Sequence, residues 1–192
     1  MTYKLFLSLL LLILVGCSES FDIDVSFGSS DYVNQGIDNA FESTYVPMNS
    51  QPILFRSANI YDGLGGEFLN YDLLLSDGSI KEIGKSISAP GVMVVDAVDK
   101  WITPGIIDIH SHMGVYSAPG VSTSSDGNEA TSPVTAEVWA EHSLWTQDPQ
   151  FALALKGGVT TFHVLPGSAN LFGGRVATFK NISQNTIQAM KF

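Results

Sequence analysis

The sequence predicts an α/β chain with a β-rich module in front of it, and three observations carry that prediction. Between Pro52 and Ile102, short strand-like runs are separated by turn residues such as Ser76-Asp77-Gly78. Thr103 to Ile109 is apolar on both faces through Ile106, Ile107 and Ile109, the pattern of a parallel strand covered by helices. A long polar loop, a helix-forming stretch and a second apolar run then complete one strand–helix–strand unit, right-handed by default.

The first residues stand apart from this fold. Met1 to Lys4 supplies one positive charge, and Leu5 to Val15 is an almost unbroken apolar run. That run is short for a bilayer span but suits the core of a secretory signal. It ends in Leu14-Val15-Gly16-Cys17, and Cys17 is the only cysteine. A lone thiol in an exported chain cannot close an internal disulfide. The stretch resembles a bacterial lipobox, which implies residues 1–17 as a lipoprotein signal peptide and Cys17 as the lipidated mature N-terminus. The bland alternative is an ordinary signal peptide with a chance cysteine. Ser18, rather than Asp, follows the cysteine, and by resemblance this favours the outer membrane, facing the periplasm.

Residues 18–51 read as an acidic tether. They hold Glu19, Asp22, Asp24, Asp31, Asp38 and Glu42 and no Lys or Arg, with no sustained helical or strand period. Such a segment buries too little apolar surface to offset its ordering entropy. Phe21, Val25, Phe27, Tyr32 and Phe41 leave room for a docked piece.

Residues 52–102 read as a small β-sandwich module. Strands are expected at Ile53 to Ile60, Tyr71 to Leu75, Ser79 to Ile83, Val92 to Val95 and Trp101-Ile102. Asp77-Gly78 between two of them is a hairpin signal. So small a module lacks an ample core of its own and is expected to lean on a neighbour.

Residues 103–192 begin a second domain. Thr103 to Ile109 is its first strand and Gly114 to Thr135 a loop rich in Ser, Thr, Gly and Asp. Ala136 to Gly157 has helical composition broken at Asp148-Pro149. Pro149 suits the first position of a helix capped by Asp148, running to Lys156 and stopped by Gly157-Gly158. Val159 to Leu165 is the next buried strand, and Leu171 to Lys180 begins another turn-and-strand element.

Charge narrows the partners. A net charge of -10 with nine scattered basic residues argues against nucleic acid. No phosphate-binding loop, nucleophile elbow or cysteine-based zinc motif occurs.

The chemistry sits at Asp108-Ile109-His110-Ser111-His112. Side chains alternate along a strand, so His110 and His112 point the same way and Asp108 shares their face. Two imidazoles at a strand's carboxyl end form half of a metal site. Taken alone, the pair could equally make hydrogen bonds at a strand end. Its placement before a long loop favours a metal, because the carboxyl ends of barrel strands form the active-site face.

Lys100 to His112 closely resembles the first metal motif of the amidohydrolase superfamily. Asp72 to Ile80 with Ile83-Gly84 looks like that superfamily's N-terminal β-sandwich. Gly158-Val159-Thr160-Thr161 and Leu165 to Asn170 resemble the second barrel strand of its imidazolonepropionase-like members. The resemblance covers about Ile53 to Lys180. It implies an incomplete (β/α)8 barrel, a small-molecule substrate and one or two divalent metals, zinc above all. Metal-activated water would hydrolyse a C–N bond, commonly that of a cyclic or acyclic non-peptide amide. His110 and His112 carry over as metal ligands, and Asp108 as support for the strand or an imidazole. The remaining ligands and the catalytic residues are expected beyond Phe192, since the motifs for strands three to eight have no counterpart before it.

His142 reads as a surface or loop histidine, and His163 lies on the second strand, facing either the barrel interior or a helix. Zinc in catalytic sites takes three protein ligands and an open position. The 192-residue chain alone is therefore expected to be inactive. Gly173-Gly174-Arg175 suits an anion cradle or, more simply, a turn. Trp139 and Trp145 suit a substrate wall or helix packing. The rival from another class is a noncatalytic truncated lipoprotein or binding module. Mass spectrometry of the mature protein is expected to find acylated Cys17 as its first residue; an unmodified Cys17 still joined to the leader would end the lipoprotein reading.

Overall fold

The computed structural model describes residues 40–192. The signal segment with Cys17, and the tether as far as residue 39, lie outside the described residues.

The first sheet grows from a hairpin pair. β1 (Ile53–Tyr61), β2 (Glu67–Ser76) and β3 (Ser79–Gly84) are successively antiparallel. Asp77 and Gly78 join β2 to β3 with φ of 51° and 66°, the left-handed pair that a two-residue hairpin turn requires. β4 (Met93–Asp96) and β5 (Trp101–Ile102) both add to the other side of β1, in parallel. The β-sandwich expected over residues 52–102 is thus, among the described residues, one mixed five-stranded sheet. The reason is local: β4 and β5 are consecutive pieces of one run along β1, so neither is left to start a second layer. Ala58, Ile60, Leu73 and Ala97 form its buried cluster, flanked by Phe55, Tyr71 and Ile102.

Asp72 organises this sheet. β1 loses register around Ser57, whose φ is 59°. Asp72, 5% exposed, accepts the Ser57 amide at 3.0 Å and the Ile87 amide at 3.0 Å, and pairs with Arg56. One carboxylate therefore holds the irregularity in β1 and the segment after β3.

The second sheet has the order β6-β7-β8. β6 (Ile106–Ser111) and β7 (Val159–Val164) are parallel, whereas β8 (Ala177–Lys180) runs antiparallel to β7. The connection from β6 to β7 carries α1 (Gln150–Lys156). Asp148 Oδ1 accepts the Gln150 amide at 3.0 Å, so it caps the helix as its place before Pro149 predicts. Gly158, with φ of +91°, takes the left-handed turn into β7. The stretch from Ala136 yields only a single 3-10 turn, Ala140–Ser143. Its backbone is already engaged elsewhere: Ala140 N donates to Arg175 O at 2.9 Å, and Val138 O accepts Arg175 N.

The core of this half is a row of aromatic rings. Phe151 of α1 stacks on Phe162 of β7 at 4.9 Å, and Phe162 on Phe179 of β8 at 5.7 Å. Val115, Leu144, Val164 and Met190 close around them. Burying a ring of this size contributes about 1.5–3 kcal/mol. α1 covers β7 and leaves β6 bare, so Ile106, Ile107 and Ile109 are 53%, 61% and 76% exposed. The covered first strand that the sequence predicts is therefore open on this side among the described residues.

The last part of the tether docks. Phe41 N donates to Glu141 Oε1 at 2.7 Å, and Thr44 N to Gln188 O at 2.9 Å beside α2 (Ile187–Met190). Lys191 Nζ donates to Phe41 O at 2.6 Å and lies 2.6 Å from Glu141 Oε2, which sets a cation beside a carboxylate that is 0% exposed. No helix among the described residues is long and apolar enough to cross a membrane.

Burial raises the Asp72 carboxyl, but the Ser57 and Ile87 amides and the Arg56 guanidinium together hold it below the ordinary carboxylate value. A lowered folded-state value gives stability that is present above the unfolded pKa of about 4 and lost as pH falls through the folded one. Acid unfolding followed by circular dichroism is expected to show a shallower loss below about pH 4 in Asp72→Asn, from a lower neutral-pH baseline; an unchanged profile would refute this.

Candidate metal centre

The two histidines sit where β6 runs out. Ser111 is buried, His110 exposed and His112 half-buried. Their imidazole rings meet edge to face, centroids 5.3 Å apart at 83°. The alternation that would put them together is not perfect, because β6 slips against β7 between Asp108 and Ser111. Asp108 Oδ1 takes the His110 amide at 3.1 Å inside that slip. Asp108 thus supports the backbone that carries His110.

His112 is fixed from across the sheet. Ser111 O accepts the Leu165 amide at 3.0 Å, and His112 Nδ1 lies 2.9 Å from Leu165 O. A carbonyl only accepts, so Nδ1 carries a proton, and in the neutral ring the lone pair then sits on Nε2. This is how a metal-binding imidazole is usually held, with the far nitrogen on a backbone carbonyl. Both rings lie at the carboxyl ends of a parallel strand pair, the end where α/β folds place ligands.

As donors, the pair fits a divalent metal, and zinc by ligand type. It does not complete a centre: among the described residues no group of three His, Cys, Asp or Glu side chains converges. His163 is engaged with Thr178 Oγ1 at 2.8 Å across the β7–β8 pair. It alternates with Phe162 and Val164, which enter the helix-side core, so it lies on the opposite face. His142 is exposed on the 3-10 turn, 4.8 Å from the Phe41 ring.

Other features resolve into structure. Gly174 has φ of +128°, and a Cβ there would come within 2.6 Å of Val138 O. Arg175 Nε donates to Ala136 O at 3.2 Å and its guanidinium lies 5.0 Å from the Trp139 ring. The Gly-Gly-Arg segment is neither a turn nor an anion cradle but irregular backbone that leads into a parallel bridge between Arg175 and Trp139. Trp139 lines a cavity of about 150 Å³ with Asp126, Asn128, Glu129 and His142, whereas Trp145 lies outside it, 42% exposed. Sequence reasoning missed Tyr116, whose ring meets His112 at 5.7 Å. Its position four residues past His112, in a loop otherwise rich in small residues, was the available signal.

No family model matches the chain. It is similar to an amidohydrolase, tasK, of Hapsidospora irregularis, with 32% identity over 155 residues, 71% of this chain and 16% of that protein. A 5-methylthioadenosine/S-adenosylhomocysteine deaminase of Pyrococcus furiosus is 33% identical over 86 residues, 44% of this chain and 18% of its own length. The crystal structure of an amidohydrolase from Thermotoga maritima superposes with a TM-score of 0.66 at 36% identity, covering 73% of this chain and 36% of that one. The chain therefore spans under a fifth of these two curated relatives.

Nitrogen-15 imidazole spectra at about pH 8, where histidine is neutral, are expected to show His112 as the Nδ1–H tautomer. An Nε2–H signature would contradict the Leu165 contact.

Proposed function

The chain belongs to the amidohydrolase superfamily, and on that premise we propose that His110 and His112 supply two ligands of a divalent metal used to hydrolyse a C–N bond. The observation that carries the proposal is the convergence of the two rings at 5.3 Å with His112 Nδ1 committed to Leu165 O. A bound cation would polarise a substrate carbonyl and bring the pKa of water toward neutrality. The chain's own residues do the holding. Leu165 O engages Nδ1 of His112, so Nε2 would be the nitrogen to hold a cation, and Asp108 fixes the backbone beneath His110.

We read β6 and β7 as the opening strands of a (β/α)8 barrel, with the five-stranded sheet as one layer of an N-terminal sandwich. The parallel pairing and the bared isoleucines of β6 support the first part. Further metal donors then come from outside the described residues, which is why two ligands alone are proposed to leave this chain inactive. The substrate is taken to be a small molecule with a non-peptide amide, cyclic or acyclic. From Met1 to Cys17 we propose export and a lipid anchor at the bacterial envelope.

The test is a zinc titration of the purified chain, monitored by calorimetry and imidazole spectra. Both His110 and His112 are expected to shift together, and His110→Ala or His112→Ala to lower the affinity about tenfold or more. Zinc uptake that leaves both rings unmoved would sink the site. With zinc present, a panel of cyclic amides is expected to remain intact; turnover above a His110→Ala control would refute the inactivity.

A further inference from the structure

Tyr116 is held far more tightly than a loop tyrosine needs to be. Its hydroxyl is hydrogen-bonded to Asn128 Nδ2, and Asn128 Oδ1 in turn accepts the Ala169 amide at 3.1 Å. Two glycines close on the phenol from either side. A Cβ at Gly127 would overlap the ring carbon that bears the hydroxyl, and one at Gly167 would overlap the oxygen itself. Those glycines are joined by a hydrogen bond from Gly167 N to Gly127 O at 2.6 Å. At the near end, Tyr116 N donates to His112 O at 3.1 Å, and Tyr116 O accepts Gln150 Nε2 at 2.9 Å. Three separate stretches, after β6, around Asn128 and after β7, thus fix one ring. That ring stands edge to face against His112, centroids 5.7 Å apart at 78°.

His112 needs such a neighbour. The outer torsion of histidine is soft and broad, so the ring plane can swing and carry Nδ1 out of line with Leu165 O. A single neutral hydrogen bond favours one orientation by only about fivefold. An aromatic edge-to-face contact adds a comparable factor of about two- to tenfold. We propose that Tyr116 is a positioning residue for His112: its clamped phenol fixes the imidazole plane, keeping Nδ1–H on Leu165 O and Nε2 open. The final step, that Nε2 is kept open for a cation, rests on the metal reading above; the positioning does not.

The two parts separate experimentally. Imidazole nitrogen spectra of the full chain, free of metal, read the tautomer directly, and zinc calorimetry reads its consequence. Tyr116→Leu is expected to turn the single Nδ1–H signature of His112 into a mixture and to weaken zinc binding about tenfold. Tyr116→Phe, which keeps the ring but loses the hydroxyl's bond to Asn128, restores part of both. Asn128→Ala, which leaves every ring in place, falls between them and decides the matter if the leucine variant does not fold. An unchanged His112 tautomer in a folded Tyr116→Leu or Asn128→Ala protein overturns the proposal. A wild-type chain with the expected tautomer but no zinc uptake sinks the metal reading instead, while the tautomer comparison still judges Tyr116.

Discussion

The parallel registration of β6 against β7 is the constraint on which the candidate site depends. Leu165, one residue past β7, gives its amide to Ser111 O and its carbonyl to His112 Nδ1. One residue thereby fixes both the end of the first strand and the orientation of the imidazole beyond it. β7 is itself fixed by the stack of Phe151, Phe162 and Phe179, which enters from one face only. A slip of one residue would turn Phe162 out of that stack and carry Leu165 away from His112. The geometry of two polar rings therefore rests on three apolar ones.

Buried carboxylates do the second part of the work. Asp72 gathers Ser57, Ile87 and Arg56 in the first sheet. Asp148 accepts Gly114 N at 2.9 Å, Ala118 N at 3.2 Å and both the amide and side chain of Gln150. Glu141 joins Phe41 and Lys191. Each is a carboxyl group taken out of water and tolerated because hydrogen-bond donors or a cation meet it. Each also ties together segments distant in sequence, so it selects one arrangement of loops over others that would bury the same apolar surface. Asp148 matters most for the site, since it anchors the loop that leaves His112 to the start of α1.

What could be read beforehand followed the range of the interactions. The Asp77-Gly78 turn, the Asp148 cap and the Gly157-Gly158 stop are decided within a few residues, and the structure has them where the sequence puts them. The nearness of His110 to His112 was likewise legible, although the slip in β6 at Asp108 was not. The antiparallel β8, the joining of β4 and β5 to one strand and the failure of a helix at Ala136 all depend on distant partners. No periodicity announces those. Tyr116 escaped notice for the same reason: its clamp is made by Asn128, Gly127 and Gly167, residues that alone read only as loop.

The bareness of β6 gives Asp108 a further consequence. Beyond β7, no described strand pairs with the other side of β6, whose isoleucines face water. An unpaired apolar strand edge is one that a further strand pairs with. Between Trp101 and His110, Asp108 is the sole charge in the sequence. The carboxylate that steadies His110 is thus also the one charged side chain along an otherwise apolar run of backbone.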